Sequence, residues 1–286
     1  MITPQSQAKQ LAQTLGLTTE LYLKREDLHP YGSHKGRSIP LMIEHYTSKG
    51  KANFCISSSG NAALAAIYAI KKIGSKLNLQ IFVGKHIDSK KLTKLQELVG
   101  DLKNITIKQV ENPKQSAFQM EKTGQAKNLR QSTDDLALIG YETLADELME
   151  IKNLAAIFIP TSSGTAAQGL YNAFKKYNLN PQIHIVQTSA CHPMVESDIQ
   201  TKNSLATAIV DKIAFRKEAV QKAIQNSQGN GWIAIDEEIE LAKKNIKKTE
   251  NLEVSFNSAL SIAGLKLALQ NNWKFNGSVV CILTGL

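Results

Sequence analysis

"AAIFIPTSSGTAAQGL", residues 155–170, is the stretch whose reading decides the fold. Its first six residues form an apolar run of the length of a buried strand. Thr161, Ser162, Ser163 and Gly164 interrupt that run with small, mostly hydroxylated residues. From Thr165 the apolar positions recur at helical spacing as far as residue 177. Strand, loop and helix in that order build a parallel sheet, because parallel neighbours need a crossover connection.

Working outward, the same unit recurs along the chain. "NFCIS" (53–57), "LQIFVG" (79–84), "NITIKQV" (104–110), "IHIVQ" (183–187) and "SVVCIL" (278–283) read as further buried strands. Helix-period segments at 61–72, 88–99, 142–152 and 258–270 alternate with them. The expected class is α/β, with two doubly wound parallel-sheet domains. Residues 1–40 and 131–286 are assigned to a larger domain and 41–130 to a smaller one. The polar stretch 111–135 is placed near the crossing.

Composition narrows the function classes. The 286 residues suit two domains, and an apolar fraction of 42% is that of a globular protein. The longest nearly apolar run, "AALAAIYAI" (62–70), falls well short of the ~20 residues a bilayer span needs. "MITPQSQAKQ" has no apolar stretch of the signal-peptide kind, so a cytoplasmic protein without a membrane partner is expected. Cys55, Cys191 and Cys281 form no CxxC or CxxH pair, which argues against a disulfide framework or a metal site. The net charge of +9 invites a nucleic-acid reading. Yet only four of the 34 basic residues are Arg, and aromatics do not interleave with them, so a Lys-rich solvated surface is the better account.

In a parallel sheet ligands bind beyond the carboxyl ends of the strands. Three such loops stand out. Residues 162–165, "SSGT", offer hydroxyls and backbone amides at a helix start, either as a phosphate cradle or as an ordinary Ser N-cap. No Gly-Lys-Ser/Thr follows, which excludes a Walker loop. A dinucleotide fold is disfavoured because the next strand runs out at Gln187 and Thr188, without an acid for a ribose. "SSSGN" (57–61) can hold a carboxylate, with Asn61 donating to a phenolate-type oxygen; one serine capping the next helix is the simpler alternative. "LTGL" (283–286) sets Thr284 just past a strand. A fourth irregular stretch, "LHPYGSHKGRS" (28–38), puts Lys35 on a Gly/Ser turn that opens a helix, where the macrodipole disfavours a cation.

A lysine, a phosphate cradle, a carboxylate loop and a hydroxyl at a strand end match the needs of pyridoxal phosphate. "LYLKREDLHPYGSHKGR" resembles the lysine-bearing segment of the fold type II, tryptophan synthase β-like, pyridoxal-phosphate enzymes. "SSSGN" resembles their substrate-carboxylate loop and "SSGTAAQG" their phosphate loop. "VSFNSALSIAGLKLAL", "VVCILTG" and "IHIVQTSACHPM" are most similar to threonine synthase, and the resemblance runs from about Leu21 onward.

The resemblance implies that Lys35 is the catalytic lysine and carries the cofactor in a cleft between the domains. His34 would lie at its phosphate, as in tryptophan synthase β. Asn61 would bond its O3′, Ser162, Ser163, Gly164 and Thr165 would hold the phosphate, and Thr284 would meet the pyridine nitrogen. Ser58, Ser59 and Gly60 would receive the substrate carboxylate. Arg130, in "KNLRQSTDD", matches an R-x-S stretch of the threonine synthases and is the candidate for an anionic leaving group; a surface ion pair with Asp134 or Asp135 is the alternative. The chain departs from the family's "SFKDR" in writing "SHKGR".

The expected activity is a lyase acting on an amino acid by elimination or replacement, threonine synthase-like, with O-phosphohomoserine as first-choice substrate. A homodimer is expected. The rival readings are a threonine/serine dehydratase, a cysteine synthase-like enzyme, and a non-catalytic cofactor- or nucleotide-binding protein. A visible absorbance band that shifts on adding an amino acid separates the enzymes from the binder.

Overall fold

The first strands and helix of the chain are β1 (Gln5–Gln7), α1 (Lys9–Leu15) and β2 (Leu21–Lys24). Next come α2 (Ile39–Ser48), β3 (Asn53–Ser57), α3 (Asn61–Ile73), β4 (Asn78–Gly84) and α4 (Ser89–Val99). They are followed by β5 (Ile105–Val110), α5 (Pro113–Lys122), β6 (Lys127–Asn128) and α6 (Leu136–Ile139). The remainder holds α7 (Glu142–Met149), β7 (Leu154–Pro160), α8 (Thr165–Lys176), β8 (Gln182–Thr188) and α9 (Lys217–Asn226). It ends with β9 (Gly231–Ala234), α10 (Asp236–Glu250), α11 (Phe256–Gln270) and β10 (Ser278–Ile282). These coordinates come from a computed structural model, which describes residues 2–74 and 76–285.

The chain forms two compact units, Met1–His29 with Tyr141–Leu286 and Pro30–Gly140. Residues 30–40 and 131–140 thus group with the smaller unit, and α5 and β6 fill the polar stretch 111–135 inside it.

The larger unit is built on a sheet of order β1-β2-β10-β7-β8-β9. All its pairings are parallel except β1 with β2. Alternate residues feed opposite faces, as the two-residue strand period requires. Leu21, Leu23, Phe158, Val279 and Cys281 join one core, with α1, α10 and α11. Ile157, Ile159, Val280 and Ile282 join the other, with α7, α8 and α9. α11 lies so close to β8 that a Cβ on Gly264 would stand 2.3 Å from Val186 Cγ2.

In the smaller unit the order is β5-β4-β3-β6, all parallel. One face packs Phe54, Ile56, Leu79 and Ile81 on α2, α3 and α4. The other packs Cys55 and Phe82 on Ala117 of α5. Both units therefore have helices on both faces of a parallel sheet.

The larger unit buries two polar groups of note. Lys24, fully buried at the end of β2, donates to Glu147 Oε2 at 2.5 Å and to the Thr3 carbonyl at 2.8 Å. These bonds tie the residues ahead of β1, and α7, to β2. His184, fully buried on β8, stacks on Phe158 at 4.5 Å. Its Nδ1 accepts from Trp232 Nε1 at 3.1 Å, so the ring proton sits on Nε2, 3.1 Å from Gln182 Oε1. That oxygen also accepts from Trp273 Nε1 at 3.0 Å. Burial lowers the histidine's pKa to about 3 and keeps the ring neutral.

The three cysteines are buried and unbridged. Burial pushes the Cys55 thiol up to about 12 and raises that of Cys281 as well, so both behave as small apolar groups. Among the described residues no helix is long and apolar enough to cross a membrane. Among the described residues no group of three or more His, Cys, Asp or Glu side chains is arranged to hold a metal ion.

Candidate functional site

The smaller unit places the lysine turn first. Gly32 has φ +80°, a conformation that favours glycine and reverses the chain after Pro30. Residues His34–Arg37 then make a single 3₁₀ turn that runs into α2. Ser33 Oγ accepts from the Lys35 amide at 3.3 Å, and the Lys35 carbonyl accepts from Ser38 N at 3.3 Å. Ser33, Gly36, Arg37 and Ser38 are buried, whereas His34 and Lys35 are half-buried. The turn packs against α2 and α3, so Lys35 is held by a short, doubly bonded backbone.

The serine-rich loop follows β3 at the carboxyl edge of the same sheet. α3 starts at Asn61 with Gly60 as N-cap, and no side chain caps it. Ser58 Oγ instead accepts from Gly60 N at 3.2 Å. None of the serines is consumed by the helix cap, which removes the simplest alternative for "SSSGN".

Arg130 lies just past β6, which pairs with β3 through Cys55 and Asn128, so it stands at the same edge as that loop. It is half-buried, and its Nε donates to Ser132 Oγ at 3.3 Å. Asp134 is engaged by the Tyr46 hydroxyl at 2.6 Å and by Lys127 at 3.3 Å. Burial pulls the Lys127 ammonium down, but Glu121, Asp134 and Tyr46 outweigh it and hold its pKa above the ordinary lysine value.

A concavity of about 330 Å³ opens beside Ser59, lined among others by Lys85, His86, Asp88, Lys91 and Glu111. Lys85 pairs with Glu111 at 2.5 Å across the ends of β4 and β5.

The larger unit supplies the other loops. Gly164, with φ +80°, is the N-cap of α8, again without a side-chain cap. Ser163 and Thr165 face each other with their hydroxyls 3.0 Å apart. Ser162 Oγ is turned to the 210–211 segment: it accepts from Val210 N and Asp211 N and lies 3.3 Å from Asp211 Oδ2. The buried Gln187 braces this loop, donating to the Thr161 carbonyl at 3.1 Å and accepting from Met194 N at 2.9 Å.

Thr284, buried, follows β10, the neighbour of β7, so both loops emerge side by side. Ser255 and Ser258 at the start of α11 both donate to the Gly285 carbonyl, at 2.5 and 2.9 Å, and pin that strand end.

Asp211, Gln187, Ser255 and Ser258 escape a sequence reading. Only the serines carry a signal, the "SFNS" that starts α11; Asp211 arrives on a segment without regular structure. The donor set suits an anion: first-turn amides of α8, two facing hydroxyls and a glycine where the chain turns left-handed. A phosphate ester fits it.

Residues 2–285 match the family model of the pyridoxal-phosphate dependent enzymes, and the chain belongs to that family. Its cofactor is pyridoxal 5′-phosphate, and its fold is type II. Threonine synthase of Mycobacterium tuberculosis is 29% identical over 99% of this chain and 80% of its own length. A tomato threonine deaminase structure superposes with TM-score 0.82 at 20% identity, over 99% of this chain and 83% of that one. Maize serine racemase gives 0.82 at 18%, over 99% and 87%; these two likenesses establish the fold.

Proposed function

We propose that the protein catalyses elimination or replacement on a small amino acid, as a lyase of the threonine synthase kind with an O-phosphorylated substrate. The observation that carries this reading is that the serine loop, the α8 loop and Thr284 each follow a strand at the carboxyl edge of their own sheet. The similarity to threonine synthases over 99% of the chain favours that activity over deamination or racemisation.

In this reading Lys35 would hold the cofactor covalently, with His34 beside it, and Asn61 would donate to the phenolic oxygen. The α8 amides, with Ser162, Ser163, Gly164 and Thr165, hold the phosphate. When bound, the cofactor supplies an electron sink for the bonds at the substrate's Cα. Ser58, Ser59 and Gly60 bind the substrate carboxylate through hydroxyls and amides. The Lys35 amine, when free, would remove the Cα proton. Thr284 would offer the pyridine nitrogen a neutral hydroxyl, which would hold a proton there less well than a carboxylate and so favour loss of a leaving group over full carbanion chemistry. Arg130, at the edge that carries the serine loop, would receive an anionic leaving group in this reading, for which the guanidinium fork is suited.

A panel of amino acids including O-phosphohomoserine, scored by shift of the visible band and by product, tests the assignment. Turnover of O-phosphohomoserine to threonine is expected. Turnover of serine or threonine alone would make the enzyme a dehydratase.

Two variants follow from the same reading. Arg130→Ala is expected to raise KM for the phosphorylated substrate while sparing turnover of serine or threonine; equal losses on both would make the residue structural. Gly164→Val with Thr165→Ala is expected to strip the cofactor. A Cβ at Gly164 would lie 2.7 Å from Val220 and 2.9 Å from Met194, and a left-handed conformation costs a branched residue about 1–2 kcal/mol. Each charge-assisted hydrogen bond lost is worth roughly 1.5–3 kcal/mol, about tenfold to a hundredfold in affinity. Equilibrium dialysis that finds unchanged cofactor content would place the phosphate elsewhere.

A further inference from the structure

Gly140 closes the smaller unit, one residue after α6. Its backbone is ordinary, with φ −58° and ψ −25°, so conformation does not call for glycine. Space does. A Cβ there would stand 2.2 Å from the Arg37 carbonyl oxygen, 2.6 Å from Ser38 Cα and 2.7 Å from the Arg37 carbonyl carbon. All three are backbone atoms, so no change of rotamer relieves the overlap. They belong to the last residue of the lysine turn and the one after it. Gln131, also buried, donates its side-chain amide to Ser38 Oγ from the same segment of chain.

We propose that Gly140, assisted by Gln131, is a positioning residue for Lys35. The glycine lets the 131–140 segment lie directly against the Arg37–Ser38 backbone and serves as the stop that fixes how far the lysine turn projects. The Lys35 carbonyl is itself bonded to Ser38 N, so a displacement at Ser38 is carried to Lys35 through one hydrogen bond. Relieving the overlap moves the turn by about an ångström, a misplacement that can cost about a hundredfold in a reaction needing alignment. This inference rests on Lys35 being the residue that holds the cofactor.

The test measures covalent capture rather than turnover. Apo-protein is mixed with pyridoxal 5′-phosphate, quenched with borohydride at timed intervals and across pH, and the label at each lysine is read by peptide mass. Gly277→Ala is the matched control. Its Cβ would stand 2.2 Å from the Asn153 carbonyl oxygen, the same closest approach to a backbone atom, just ahead of β10 in the larger unit.

Gly140→Ala is expected to slow capture at Lys35 by about a hundredfold and to shift its pH profile, while Gly277→Ala loses thermal stability but captures as the wild type does. Equal capture by the two variants overturns the proposal. Should Gly140→Ala fail to fold, Gln131→Ala decides: slower capture supports the proposal and wild-type capture overturns it. Wild-type label on another lysine would instead remove the premise, a result that cannot be confused with the others.

Discussion

Lys35→Ala is expected to lose reducible, covalently held cofactor and to cut turnover by about 10²–10⁴-fold or more, the contribution of a positioned acid–base group. Lys35 is half-buried on a 3₁₀ turn whose neighbours Ser33, Gly36 and Arg37 are buried, so its amine is projected from a fixed base. A surface lysine of a flexible chain would have no such constraint, and the other lysines serve as internal controls. Borohydride reduction should therefore label position 35 in the wild type and leave the variant unlabelled. The melting temperature should change little, because a half-buried side chain contributes modestly to packing. Retention of a reducible adduct on another lysine, with turnover preserved, would end the assignment. Lys35→Arg should fail equally, since it keeps the charge but not a nucleophilic amine.

The second large effect is on stability and comes from His184. Its pKa is lowered by burial from 6.5 to about 3. In the unfolded chain the imidazole takes up a proton as pH falls through 6.5, while in the folded protein it stays neutral. The unfolded state then binds more protons, so stability falls with falling pH between about 6.5 and 3 and is fully present above 6.5. The slope approaches about 1.4 kcal/mol per pH unit, or nearly 3 kcal/mol lost by pH 4.5. Trp232 and Trp273, the two tryptophans of the chain, both belong to the cluster around His184, so tryptophan fluorescence reports unfolding of this unit. Urea unfolding followed that way at pH 6.5 and 4.5 should show the loss. His184→Phe lowers stability at both values, because Trp232 Nε1 and Gln182 lose their partner, but it should flatten the difference between them. An unchanged pH difference in the variant would show that other groups set it.

Much of the fold was legible because its signals are local. "AAIFIP" and "SVVCIL" became β7 and β10, and "NFCIS" became β3, because runs of apolar residues between polar turns have few other ways to be buried. The cofactor followed from motifs, each contained in one short loop. β1 and β9, by contrast, are short and mixed in polarity; their pairing partners supply the evidence that they are strands. α10 carries only a weak apolar period, since three of its fifteen residues are buried.

The amino-acid order alone therefore determined the class of fold, the family of the cofactor and the candidate residues, because period, turn chemistry and loop composition act within a few positions. Tertiary structure decided what depends on distant approach. It showed that the serines of "SSSGN" do not cap α3 and that Asp211 comes to Ser162 from 49 residues away. It paired Lys24 with Glu147 across 123 residues and brought Gly140 against the carbonyl of Arg37. A glycine needed for space carries the same letter as one needed for a turn, and only the packed neighbour tells them apart.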